Sequence, residues 1–181
     1  MARVPEISSK DELPSDKQHI FDEIVGSRGR VSGPHAVLLN SPEVAGRIAH
    51  VGTYIRFEST LAPEIRELAI IITARQFDCN YEWSAHEGLA REAGVRDEAI
   101  AAVANGSPVD GLTDDEAIVI SYGRQLFTDH KISEETFAAA KSRFGDQGVT
   151  DLTATMGYYG MIACALNAFE VQPAPGTPRL P

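Results

Sequence analysis

Between positions 67 and 86 the chain carries two carboxylates, a thiol and an imidazole: Glu67, Cys79, Glu82 and His86. Cys79, Glu82 and His86 are separated by three, four and seven residues, which are near-whole helical turns, so on one helix they share a face. With Asp78 as the N-cap, Cys79 begins that helix, where the positive end of the backbone dipole favours a thiolate. A carboxylate and an imidazole on the same stripe supply a proton acceptor and a shuttle that titrates near neutrality. Seven residues span roughly 10.5 Å of helix axis. Cys79 and His86 are therefore too far apart for a direct hydrogen bond. Glu82, a water, a substrate atom, or Glu67 reaching from the preceding helix must lie between them.

Around this set, Tyr81 and Trp83 are candidates to wall a pocket, and Arg75 to hold a substrate carboxylate. Each also has a plainer reading, as a small buried hydrophobe for the cysteine, core for the aromatics and solvated charge for the arginine. Metal chemistry is not expected. Glu82-x-x-x-His86 offers two ligands, His19, His35, His50 and His130 are scattered, and no His-Glu-x-x-His motif occurs.

The elements that must position these groups read as helices. Strict apolar/polar alternation bounded by hairpin turns is missing. Helix starts recur instead: Ser15 before Ile20, Phe21 and Ile24; Ser41-Pro42-Glu43; Thr113 to Glu116 with capping-box spacing; and Ser133-Glu134-Glu135. Gly94 and Gly106 stand where helices should stop. These signals predict an all-α chain with helices at 16–27, 42–58, 63–77, 79–93, 96–104, 114–129, 133–144 and 150–169. Residues 29–33 read as a loop. The proline-rich tail from Gln172 reads as an extended arm.

At 181 residues the chain is long enough for one domain with its own core, expected to span 1–181, with an N-terminal helix and loop over 1–30 and a C-terminal arm over 172–181. A formal charge of −10 argues against nucleic acid, which needs clustered Lys and Arg. No apolar run approaches the length of a bilayer span, so no membrane partner is expected. Two cysteines cannot build a disulfide framework. With no apolar run in Met1 to Lys10, a cytoplasmic location is expected.

A weak two-fold internal repeat is also visible. Glu67-Leu68-Ala69 and Asp151-Leu152-Thr153 each open a long apolar helix, 84 residues apart, although amphipathic helices often look alike. In the second copy Ala163 stands at the place of Cys79 and Glu170 at that of His86, which confines any chemistry to the first copy.

The run Pro63-Glu64-Ile65-Arg66-Glu67-Leu68-Ala69-Ile70, then Asp78-Cys79-Asn80-Tyr81-Glu82-Trp83, His86 and Ala90 to Val95, resembles the core motif of the carboxymuconolactone decarboxylase / alkylhydroperoxidase D-like family. Gly33-Pro34, Asn40-Ser41-Pro42-Glu43 and Leu166 to Val171 extend the resemblance to roughly residues 30–181. It implies an all-helical bundle, a homo-oligomer (trimer or hexamer), a small-molecule substrate and no metal or organic cofactor. In the peroxidase branch a glutamate precedes a Cys-x-x-Cys by twelve residues and a histidine follows the second cysteine by four. Glu67, Cys79 and His86 fit that grid, but Glu82 holds the second cysteine's place, and Tyr81 that of the histidine before it. A two-cysteine cycle is thus not available within this motif, and Cys164 is the only other thiol. The decarboxylase branch lacks the motif cysteine and keeps a glutamate four residues before the histidine, as Glu82 and His86 are here. The expected function is cofactor-free acid/base chemistry, decarboxylation or a related lyase reaction, on a small organic acid or lactone. The alternative is a one-cysteine peroxidase acting through Cys79.

Overall fold

The structure, a computed structural model, describes residues 2–181. Its secondary structure is helical, with no strand among the described residues. Eight α-helices follow in order: α1 Gln18–Arg28, α2 Pro34–Leu38, α3 Pro42–Thr53, α4 Pro63–Gln76, α5 Asn80–Ala93, α6 Asp97–Asn105, α7 Asp114–Arg124 and α8 Glu134–Ala168. No helix among the described residues is long and apolar enough to cross a membrane.

Predicted starts and stops are met locally. Thr113 Oγ1 accepts from the Glu116 backbone while the Glu116 carboxylate accepts from Thr113 N, a complete capping box. Gly94 and Gly106 close α5 and α6 in the left-handed region, at φ 101° and 67°. The turns that extend α3 and α7, Tyr54–Glu58 and Gln125–Asp129, are π-helical, so the segments expected to run to 58 and 129 widen before they end. The short α2 was not expected; Pro34 at its first position carries the chain out of the predicted loop and into a helical turn. The two helices expected at 133–144 and 150–169 run together as α8, broken at Gly145, whose φ of 70° and ψ of 178° are non-helical.

The chain divides into two compact units. The first comprises residues 2–59 and 164–172. There α1 packs on α3 and α2 on α3 around Ile7, Leu13, Ile20, Phe21, Ile24, Leu39, Ala45 and Ala49. The second comprises residues 60–163 and 173–181. At its centre is α4, which packs against α5, α6 and α7. Every α4 residue from Glu67 to Ala74 is buried. A helix apolar all round belongs inside a core, and each of Ile70, Ile71 and Ile72 contributes about 1.5–3 kcal/mol on burial. The entry to α4 is fixed by Asp151, whose Oδ2 accepts from Thr60 N at 2.9 Å and Thr60 Oγ1 at 2.8 Å.

Candidate active site

The site grows out of the junction between α4 and α5, inside the second unit. Asp78 N–H donates to Arg75 O at 3.1 Å and Cys79 N–H to Ala74 O at 2.8 Å, the paired bonds of a Schellman ending. That ending needs a left-handed residue, and Asp78 supplies it with φ 46°. Its side chain is paired with Arg75. The N-cap of α5 is therefore Cys79 rather than Asp78, because Asp78 is taken up in closing α4. The Cys79 carbonyl accepts from Trp83 N at 3.0 Å, so its backbone is held from both sides, and its side chain is completely buried.

From that start, helical spacing buries Glu82, Trp83, His86 and Ala90 on one face of α5. On the adjoining helix, Glu67 is the buried acid among the isoleucines of α4. Glu67 Oε2 lies 2.7 Å from His86 Nδ1. Glu82 Oε2 lies 3.4 Å from His86 Nε2. The imidazole is thus held between two carboxylates, one on each ring nitrogen, with all three side chains at most 7% exposed. A buried carboxylate beside an imidazole is a charge-assisted contact, stronger than a neutral hydrogen bond.

Tyr159, on α8, was not singled out from sequence. Its ring meets His86 edge-to-face at 5.2 Å between centroids, and Tyr158 meets Tyr159 in the same way at 5.3 Å. The imidazole is thereby held in its plane as well as at both nitrogens. Of the other predicted site residues, Trp83 is a member of the apolar core of this unit and Tyr81 is partly exposed. Arg75 donates from Nε to Ala104 O at 3.0 Å and pairs with Asp78, so its guanidinium ties α4 to α6 and to the turn. Cys164 is exposed, and neither cysteine is in a disulfide. No group of three or more His, Cys, Asp or Glu side chains suited to a metal ion occurs among the described residues.

The segment containing this geometry can be compared with known proteins. Residues 42–117 match the model of the carboxymuconolactone decarboxylase family. That span contains Glu67, Cys79, Glu82 and His86 and leaves out Tyr159. No curated protein matches the chain. Among solved structures, the fold is shared with an alkylhydroperoxidase AhpD core, an uncharacterized peroxidase-related protein from Ralstonia eutropha JMP134 (TM-score 0.76, 19% identity, 96% of this chain and 93% of that one). It is also shared with the debrominase Bmp8 solved with 2,3,4-tribromopyrrole (TM-score 0.75, 13% identity, 95% and 91%). An uncharacterized peroxidase-related protein from Silicibacter sp. TM1040 has the same fold (TM-score 0.71, 17% identity, 97% and 96%). At these identities the likeness is one of fold.

Proposed function

We propose that this protein is a cofactor-free enzyme of acid/base chemistry, acting on a small organic acid or lactone by decarboxylation or a related lyase step. The observation that carries this reading is His86 set between Glu67 and Glu82. With Glu67 ionised, His86 Nδ1–H donates to Oε2, and Nε2 faces Glu82 across 3.4 Å. Nε2 and the Glu82 carboxyl then share one exchangeable proton. Loss of CO₂ from a substrate carboxylate leaves an electron pair on carbon. That pair takes the shared proton, a new C–H bond forms, and solvent returns a proton to the Glu82–His86 pair. Glu67 orients the ring and compensates its charge, and Tyr159 holds its plane. Arg75 serves as a structural clamp of the α4–α5 turn.

The complete burial of Cys79 supports this reading over a freely reacting thiol, since buried cysteines are commonly inert. A second reading is kept because Cys79 is the N-cap of α5 and two fold neighbours are named as peroxidase-related. In it, the Cys79 thiolate attacks a peroxide, its sulfur is oxidised to a sulfenic acid with release of the alcohol or water, and an external thiol reduces it. We also place the site in a homo-oligomer. Val44 and Val51, seven residues apart on α3, remain exposed, as does Phe57, and these apolar side chains support a further copy covering them.

One panel of variants tests these readings. Small carboxylated lactones and unsaturated acids are assayed for CO₂ release, and alkyl peroxides for thiol-dependent consumption, with the wild type, His86→Gln, Glu82→Gln and Cys79→Ser. The acid/base reading requires CO₂ release that falls at least a hundredfold in His86→Gln and Glu82→Gln and survives in Cys79→Ser. Peroxide consumption abolished in Cys79→Ser, with no CO₂ release from any acid, would establish the second reading instead.

A further inference from the structure

Arg66 stands beside Glu67 in sequence, yet adjacent helical residues point about 100° apart and do not normally meet. Here the Arg66 side chain is only 17% exposed and brings Nε to 4.0 Å from Glu67 Oε1. That nitrogen is buried and donates no hydrogen bond. A buried guanidinium N–H with no acceptor is costly. At 4.0 Å it acts on Glu67 through its charge, in a setting where solvent screens little.

Glu67 is where such a charge matters. Burial favours the neutral form of a carboxyl group. A protonated Glu67 would donate its own O–H to His86 Nδ1, drive the ring proton to Nε2, and leave no lone pair there to accept a proton from Glu82. An ionised Glu67 does the opposite: it accepts Nδ1–H and keeps Nε2 as the working atom. The ionisation of Glu67 therefore selects the tautomer of His86. A guanidinium is suited to enforce it, because it stays charged at any working pH.

We propose that Arg66 is the positioning residue of this site, holding Glu67 as a carboxylate so that His86 presents Nε2 rather than Nδ1 to the reaction. This role builds on the acid/base reading, but it concerns the resting protein and is measured without substrate. The full-length chain is labelled with ¹⁵N and ¹³C. The ring nitrogens of His86 are assigned by comparison with His86→Gln, and the side-chain carboxyl carbon of Glu67 with Glu67→Gln. Both are followed from pH 5 to 9 in the wild type, Arg66→Met, Arg66→Gln and Arg66→Lys.

The expected wild type has an ionised Glu67 throughout, with a His86 ring proton held on Nδ1 toward it. Arg66→Met and Arg66→Gln, which remove the charge, raise the proton affinity of Glu67 at least tenfold and mix in the Nε2–H tautomer. Arg66→Lys, which restores a charge, restores the wild-type pattern at least in part. A protonated Glu67 in the wild type at pH 7 overturns the proposal with no variant needed. So does a Glu67 titration in either neutral variant that overlays the wild type. Loss of turnover in His86→Gln bears on the acid/base reading alone, so the two ideas fail separately.

Discussion

Replacing His35 tests a consequence of burial that can be sized from the structure. His35 lies in α2, is 8% exposed, and its Nε2 has no hydrogen-bond partner. Burial, with a smaller effect from the Arg28 guanidinium, lowers its pKa from 6.5 to about 4. The neutral ring is therefore the form the fold accepts, and the unfolded chain binds the extra proton between those two values. Stability contributed by the neutral ring is fully present above pH 6.5 and is lost as pH falls toward 4. At 1.36 kcal/mol per pH unit the gap amounts to about 3 kcal/mol. His35→Leu removes the titrating group while keeping the site apolar. Urea denaturation followed by far-UV circular dichroism, at constant ionic strength from pH 4 to 8, should show the wild type losing about 3 kcal/mol more than the variant on going from pH 7 to 4. At neutral pH the variant should be at least as stable, because an unsatisfied buried nitrogen has been removed. Parallel losses in the two proteins across this range would refute the reasoning.

Three further outcomes are expected. Gly123→Ala places a Cβ 2.9 Å from Ile72 Cγ2 and 3.3 Å from Met156 Cε, in a core with no slack, and should cost about 1–3 kcal/mol in denaturant titrations. Thr113→Ala deletes one half of the capping box on α7 and should cost about 1 kcal/mol by the same measurement. In native protein a maleimide should label exposed Cys164 within minutes and leave buried Cys79 untouched, whereas both should react in urea; intact mass with peptide mapping reads the result.

Much of this architecture could be read from residue types because it is set by neighbours in sequence. The Thr113–Glu116 cap, the stops at Gly94 and Gly106, and the apolar helix through Ile70 to Ile72 each rest on contacts within a few residues. The spacing of Glu82 and His86 likewise placed both on one buried face of α5. Misplacing the start of α5 has a local cause. Asp is a good N-cap, but it also tolerates the left-handed region, and at position 78 the demand of the α4 ending prevailed. The helix expected at 133–144 ends where the structure breaks at Gly145, while the helix that follows resumes before the expected residue 150. Tyr159 and Arg66 were missed for different reasons. The contact of Tyr159 with His86 joins residues 73 positions apart and depends on how α8 meets α5. That of Arg66 depends on a side chain turning toward its own neighbour, which helical spacing argues against.

In the proposed reaction His86, held between Glu67 and Glu82, delivers a proton to carbon. The direct measurement is to run the CO₂-releasing turnover in D₂O and to determine, by NMR of the product, where and on which face deuterium enters. One deuterium is expected at the carbon that lost CO₂, on a single face, in the wild type and Cys79→Ser, with the turnover itself lost in His86→Gln and Glu82→Gln. Deuterium on both faces in the wild type, or undiminished turnover in His86→Gln, would contradict the proposed reaction.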